Sequence, residues 1–174
     1  MSNSVYIRPL RVEDALISYE WRNNPRIWKH TGSRPDKHIT PEIEVEWIKE
    51  VLQRTNEKRY AICKISDDQY IGNVFLTDIA DDEAQIHIFL GDIRFWGNSN
   101  ASEAIHLLQD LAFTELGIQT IHATIRENNN ASVALAKRSG FVLNGKLKDD
   151  LLDLICTREM FNKKDKPDKS VNIP

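Results

Sequence analysis

Cysteine is almost missing from this 174-residue chain, with Cys63 and Cys156 the only two. Two thiols so far apart exclude a disulfide framework and a cysteine-based metal motif. Both fall in apolar, strand-like stretches and are expected as reduced core residues. Long hydrophobic runs are missing as well: none approaches the roughly 18 residues that a membrane span needs. The opening "MSNSVYIRPL" lacks the apolar stretch of a signal peptide, so the expectation is a cytoplasmic protein with no membrane partner. Positive charge is not in excess either. With 23 Lys and Arg against 26 Asp and Glu the net charge is −3, and nothing points to nucleic acid held through a broad basic surface. There are no internal repeats and no inter-domain linker. What remains is 41% hydrophobic and 28% charged, the balance of one soluble domain long enough to bury a core.

The patterning predicts mixed strands and helices. "VYIRP" reads as a strand ended by Pro9, followed by a helix from about Val12 to Asn23 with Val12, Ala15, Leu16 and Tyr19 on its apolar face. Thr40-Pro41 reads as an N-cap with proline at the first helical position, opening a helix through about Arg54 whose buried stripe is Ile43, Trp47 and Val51. Three strands follow as an antiparallel meander: 59–65, 70–79 and 83–90, joined by the polar turns "SDDQ" and "ADD". A helix then runs to about Leu116 with Gly117 as its C-cap, and "IQTIHATI" is a strand. A helix over 131–139 stops at Gly140, and "FVLNGKL" and "LLDLICTREMF" are the last two strands. The tail from 162 to 174 is polar and reads as disordered, leaving one domain over 1–161. This order predicts an α/β protein with a mixed sheet.

The segment "FWGNSNASEAIHLLQDLAF", 95–113, puts a small-residue turn directly ahead of an amphipathic helix. A helix N-terminus presents unpaired backbone N–H groups and a positive dipole end, and small residues let a phosphate approach them. The amides of Gly97, Asn98, Ser99, Asn100 and Ala101 are candidate donors, with the side chains of Ser99, Asn100 and Ser102 beside them and Arg94 as a countercharge. By itself the same turn also reads as an ordinary N-cap.

Arg94-x-x-Gly97-x-Ser99 together with "ENNNASVALAKRSGF" resembles the GCN5-related N-acetyltransferase superfamily. That superfamily wraps the pyrophosphate of acyl-CoA with Gln/Arg-x-x-Gly-x-Gly/Ala, and its later signature is an Asn, a Ser three residues on, and a Gly-Phe ending the helix. Asn129, Ser132 and Gly140-Phe141 occupy those places. The resemblance covers roughly residues 5–161, and "YIGNVFL" followed by "AQIHIFL" is similar to the branch of ribosomal-protein and polyamine acetyltransferases. Two positions depart from the pattern: Ser99 replaces the usual second small residue, and Ala136 stands where many relatives carry the tyrosine that protonates the leaving thiolate.

The resemblance implies a mixed sheet of about seven strands with about four helices. It implies an acyl-CoA co-substrate, acetyl or longer, direct transfer to an amine, and no metal. The strand ahead of the loop should splay from its neighbour and bind the pantetheine and thioester through backbone amides near Phe89 and Leu90; Asn129 and Ser132 should lie along the pantetheine arm, Asn129 as hydrogen-bond partner or proton donor. His87, with Gln85 and Phe89 on the more polar strand face, is the leading general base, since an imidazole titrates near neutrality. His122 and Glu83 are lesser candidates.

The acceptor should be a small molecule bound by the first helices, where Trp21, Arg22, Arg26 and Lys29 offer an aromatic and basic surface suited to a diphosphate. "WRN" at 21–23 is similar to acetyltransferases of nucleotide-linked amino sugars, which makes such a sugar the preferred acceptor. A protein N-terminus or a polyamine is the alternative, and a CoA-binding protein whose catalysis has lapsed is the non-enzymatic one. Relatives often dimerise, so a homodimer remains within the expectation.

Overall fold

The computed structural model describes residues 4–31 and 34–165, without the side chains of residues 29–31 and 165. Strand β1 (Val5–Pro9) leads through a 3-10 turn to helices α1 (Ala15–Asn23), α2 (Pro25–Thr31) and α3 (Pro41–Leu52). The meander β2 (Lys58–Lys64), β3 (Tyr70–Ala80) and β4 (Glu83–Leu90) precedes α4 (Asn100–Thr114). Then come β5 (Thr120–Arg126), α5 (Asn130–Arg138), β6 (Val142–Lys146), β7 (Leu151–Thr157) and α6 (Arg158–Asp165). The seven strands form one sheet in the order β1-β2-β3-β4-β5-β7-β6. Among the described residues only β4 and β5 run parallel; every other neighbouring pair is antiparallel. This is the α/β architecture expected.

Strand alternation loads both faces of the sheet. Ile62, Val74, Leu76, Ile86 and Leu90 pack with Leu108 and Phe113 of α4 on one face. Ala61, Cys63 and Tyr70 pack with Ala15 and Trp21 of α1 and Ile48 of α3 on the other. The two free thiols are buried as expected; burial pushes both upward, Cys156 to about 11.

Local signals set most boundaries. Thr40 caps α3 by accepting from the Ile43 amide at 3.4 Å, with Pro41 in the first turn. Buried Asp14 accepts from the Arg11 amide at 2.8 Å and from both terminal nitrogens of Arg8 at 2.6 and 2.9 Å, tying the entry of α1 to β1.

Three expectations need correction. In α1 the buried positions are Ala15, Ser18 and Trp21, and Leu16 is 64% exposed. In α3 they are Glu44, Ile48 and Val51, with Ile43 and Trp47 half-buried. Both stripes are turned by about one position because the helices dock through Glu44, which takes a hydrogen bond from Ser18 at 2.8 Å and an ion pair from Arg22 at 3.1 Å. The last strand stops at Thr157 and the chain continues as α6, where Phe161 packs on Phe113 at 5.3 Å between ring centroids. Two helices, α2 and α6, thus add to the four expected, and 162–165 of the presumed tail are helical; 166–174 lie outside the described residues.

Candidate active site

The parallel pair is short. Glu83, Ala84 and Gln85 of β4 face Thr120, Ile121 and His122 of β5, and there the pairing ends, although both strands continue. From Ile86 and from Ala123 onward the two strands part. The sheet opens in a V, as the splay expectation requires, with Gln85 and His122 at its apex. Just above the apex the Thr124 hydroxyl donates to Gln85 Oε1 at 3.1 Å across the gap.

Hydrogen-bond alternation decides which β4 amides face the gap. The Gly91 amide donates to Ile71 O at 2.9 Å, and the register runs on through Gly72–Leu90 and Asn73–Phe89. Phe89 therefore directs its N–H toward β3, while Ile88 and Leu90 direct theirs toward the opening. The Leu90 carbonyl, on the same edge, accepts from Trp96 Nε1 at 2.8 Å. Of the two residues expected to supply amides, Leu90 directs its N–H into the gap; Phe89 does not, and Ile88 does instead.

Helices α4 and α5 both begin at the open end, just past the C-terminal ends of the parted strands. This is the crevice where parallel α/β sheets hold ligands. In the turn, Asp92 accepts from the Arg94 amide at 3.0 Å and Gly97 has φ +78°, a left-handed conformation that glycine accepts without strain. Open space surrounds it, with no atom within 4 Å of where a Cβ would stand. Ser99 precedes α4 in helical conformation, and its side chain does not cap the helix. Its hydroxyl instead donates to Glu103 at 2.5 Å, and the Ser102 hydroxyl donates to Ser99 O at 2.9 Å.

Space is thus open around Gly97, whereas several of the loop's side chains are engaged. Asn100 is buried and its Oδ1 accepts from the Ser4 hydroxyl at 3.1 Å, so its side chain turns to β1 and away from any phosphate. Its amide meets Asn98 Oδ1 at 3.4 Å. Arg94 is exposed and ion-paired with Asp92, whose carboxyl that guanidinium holds below its usual range. At the second helix, Asn129 caps α5 by accepting from the Ser132 amide at 3.2 Å, leaving its side-chain NH2 available. Ala136 is buried in the core and supplies no proton donor.

The sheet face opposite α4 carries a polar strip along the V. His87 is exposed; its ring lies parallel to Phe75 at 5.0 Å and its Nε2 meets the Thr77 hydroxyl at 2.9 Å. It leans toward β3, away from the gap, and desolvation beside Phe75, aided by the charge of Arg59, lowers its pKa. His122 stands at the apex, with Nδ1 3.0 Å from Asp153 Oδ1. Asp153 Oδ2 accepts from Asn144 at 2.8 Å. His122 Nε2 is buried and makes no hydrogen bond, although Glu83 Oε2 lies 3.4 Å away, an ion-pair distance without hydrogen-bond geometry. Asp153 was not marked by the sequence reading; a carboxylate inside the apolar strand "LLDLICT" is the signal that exposes it.

The amine-binding expectation fares differently. Trp21 is buried against Tyr70 and Phe89, at 4.7 and 6.2 Å between ring centroids. Arg22 is bound to Glu44 and lies over Trp47 at 4.8 Å. Asn23 pins the backbone of Ile39 with two bonds of 2.8 and 2.9 Å. All three residues of "WRN" are structural, which corrects the assignment of Trp21 and Arg22 to the substrate. Arg26 is exposed on α2; the Lys29 side chain lies outside the described residues.

A family model described as an acetyltransferase (GNAT) domain matches residues 4–142. YjcK of Bacillus subtilis (strain 168), described as a probable N-acetyltransferase, is 31% identical over 150 residues, covering 82% of each chain. The spermidine N-acetyltransferase of Vibrio cholerae, solved with CoA and spermine, superposes with a TM-score of 0.82 at 20% identity, covering 92% of this chain and 99% of that one. The aminoglycoside acetyltransferase AAC(6')-Ib, solved with coenzyme A, superposes at 0.79 and 20% identity, covering 94% and 100%. At such identities the two solved structures show the fold.

Proposed function

We propose that this chain, which belongs to the GNAT acetyltransferase family, transfers an acetyl group from acetyl-CoA to a primary amine of a small polycationic molecule, of the polyamine or aminoglycoside class. The observation that carries the reading is the parting of β4 and β5 beyond Gln85 and His122, with two helix N-termini at the open end. The pyrophosphate fits the amides from Gly97 to Ala101 and the dipole of α4, with Arg94 and the Ser102 hydroxyl at its rim. The pantetheine arm lies in the V, within reach of the Asn129 NH2 and Ser132. The Ile88 and Leu90 amides, fixed on a rigid strand, are placed for the oxygen of the tetrahedral intermediate.

A cationic acceptor is favoured by the floor of the polar strip, where Glu83 and Asp153 flank the apex. What the solved relatives hold, spermine in one case, supports the same class by analogy. A nucleotide-linked amino sugar is the second reading, supported by exposed Arg26 and by Arg34, whose guanidinium lies 5.4 Å from the Trp28 ring. The sequence-derived base, His87, meets the Thr77 hydroxyl through Nε2, so it accepts a proton from either amine at Nδ1 or after releasing Thr77.

The test is thiol release from acetyl-CoA, and from one longer acyl-CoA, against polyamines, aminoglycosides, nucleotide-linked amino sugars and short peptides. Turnover confined to the polyamines or aminoglycosides is expected. Turnover on the sugar alone moves the acceptor to the second reading, and no thiol release from any combination rejects the enzyme assignment.

A further inference from the structure

Resting on that reading, we propose that His122, oriented by Asp153, carries the proton in this reaction: its Nε2 takes the proton from the attacking amine and returns it to the leaving sulfur. Two problems meet at this histidine. The reaction needs a proton acceptor near the amine, and it needs a donor for the thiolate where Ala136 offers none.

The geometry has three parts. His122 is the last β5 residue paired with β4, so it stands where the two strands begin to separate and where an arm lying in the V must end. Its ring is fixed from behind. Asp153 accepts from Nδ1 at 3.0 Å and is itself held by Asn144 at 2.8 Å, so the proton of the neutral ring is kept on Nδ1. The other ring nitrogen, Nε2, is then left as a base with no hydrogen-bond partner; it is buried beside the exposed Glu83 carboxylate, so an amine reaches it only when Glu83 moves aside. Such an orphaned polar atom costs stability unless something occupies it. Two acids face the ring, Asp153 from β7 at 3.0 Å and Glu83 from β4 at 3.4 Å, and the imidazolium formed midway lies between them.

The acceptor's ammonium first gives one proton to water, and from the neutral amine the step balances without any other reactant. The amine nitrogen bonds to the thioester carbon as its proton passes to Nε2. The C–S bond then breaks, and the imidazolium returns that proton to sulfur, giving an amide, a free thiol and the starting histidine. His87 is less well placed, since its Nε2 is bonded to Thr77 and its ring leans on β3. Asp153 is a positioning residue and Glu83 an electrostatic one.

The experiment measures thiol release and acetyl-CoA affinity in the full chain for wild type, His122→Gln, His122→Ala, Asp153→Asn and His87→Gln. A general acid–base group contributes about 100-fold or more. His122→Gln is expected to lose about that factor in kcat with acetyl-CoA affinity unchanged, and to lose the acidic limb of the pH–rate profile. Asp153→Asn should lower kcat with little change in KM and displace that limb. Imidazole in solution should restore part of the His122→Ala rate, an effect that a merely structural histidine would not show. If wild type turns over and His122→Gln stays within threefold of it, the inference is overturned. It is equally overturned if His87→Gln shows the loss and His122→Gln does not. Absence of thiol release from wild type removes the enzyme reading and this inference with it.

Discussion

The turn ahead of α4 and the Trp21-Arg22-Asn23 segment of α1 both stand out in the sequence as binding elements, and the fold treats them in opposite ways. The turn keeps its offer: Gly97 is left-handed in open space, and the Ser99 side chain does not cap the helix. The α1 segment withdraws its own. Trp21 goes into the core, Arg22 to Glu44 and Asn23 to Ile39. The difference lies in what each signal is made of. A backbone amide at a helix N-terminus has no carbonyl one turn earlier, whatever packs around it. An arginine or tryptophan side chain is available only if no neighbour reaches it first.

Substitutions can break or sharpen that contrast. The largest effect is expected at Trp21→Ala, which empties a core site and should cost about 3–5 kcal/mol of stability in a denaturant titration. A variant of native stability with only a raised KM for the amine would return Trp21 to the substrate. Next, Gly97→Trp should weaken acyl-CoA binding about 100-fold, or about 2.8 kcal/mol, by calorimetry. Its left-handed φ adds only about 1–2 kcal/mol of strain. Unchanged affinity there would remove the turn from the cofactor site.

Arg22→Ala leaves the Glu44 carboxylate buried without its charged partner, while Ser18 still donates to it. A loss of about 1–3 kcal/mol is expected, and Glu44→Gln in the same chain should recover part of it because the unpaired charge is gone. The smallest effect belongs to His87. Its folded pKa lies below the unfolded value of about 6.5, so the neutral ring favours the fold above that pH and the advantage fades as pH falls through the folded value. His87→Gln should therefore flatten the decline of melting temperature on the acid side of about pH 6.5. An unaltered slope would mean that the ring is solvated.

The element order was largely legible because hydrophobic periodicity and caps are local. β4 matches its sequence bounds, and Thr40 caps α3 as its position indicates. The α1 and α3 stripes were misread because Ser18 and Glu44 are polar residues buried together, and a polar residue signals burial only when its partner is known. The helical start at Arg158 was hidden by the apolar run that precedes it.

At the site, the small-residue turn ahead of α4 could be read directly, since it is a short-range backbone arrangement, whereas Asn129, read as a ligand residue, also caps α5. The Asp153–His122 pair could not: β5 and β7 are separated in sequence by α5 and β6, and only their antiparallel register brings Thr124 opposite Asp153 and His122 opposite Ile155. On its other side β5 stands beside β4 for three residue pairs and no more. The sequence alone determined the α/β character, the strand and helix order and the small-residue turn ahead of one helix start, because those follow from covalent neighbours. Tertiary structure decided which charges are neutralised, which β4 amides face the gap and which histidine meets a carboxylate. Those depend on strands that meet only when the sheet closes.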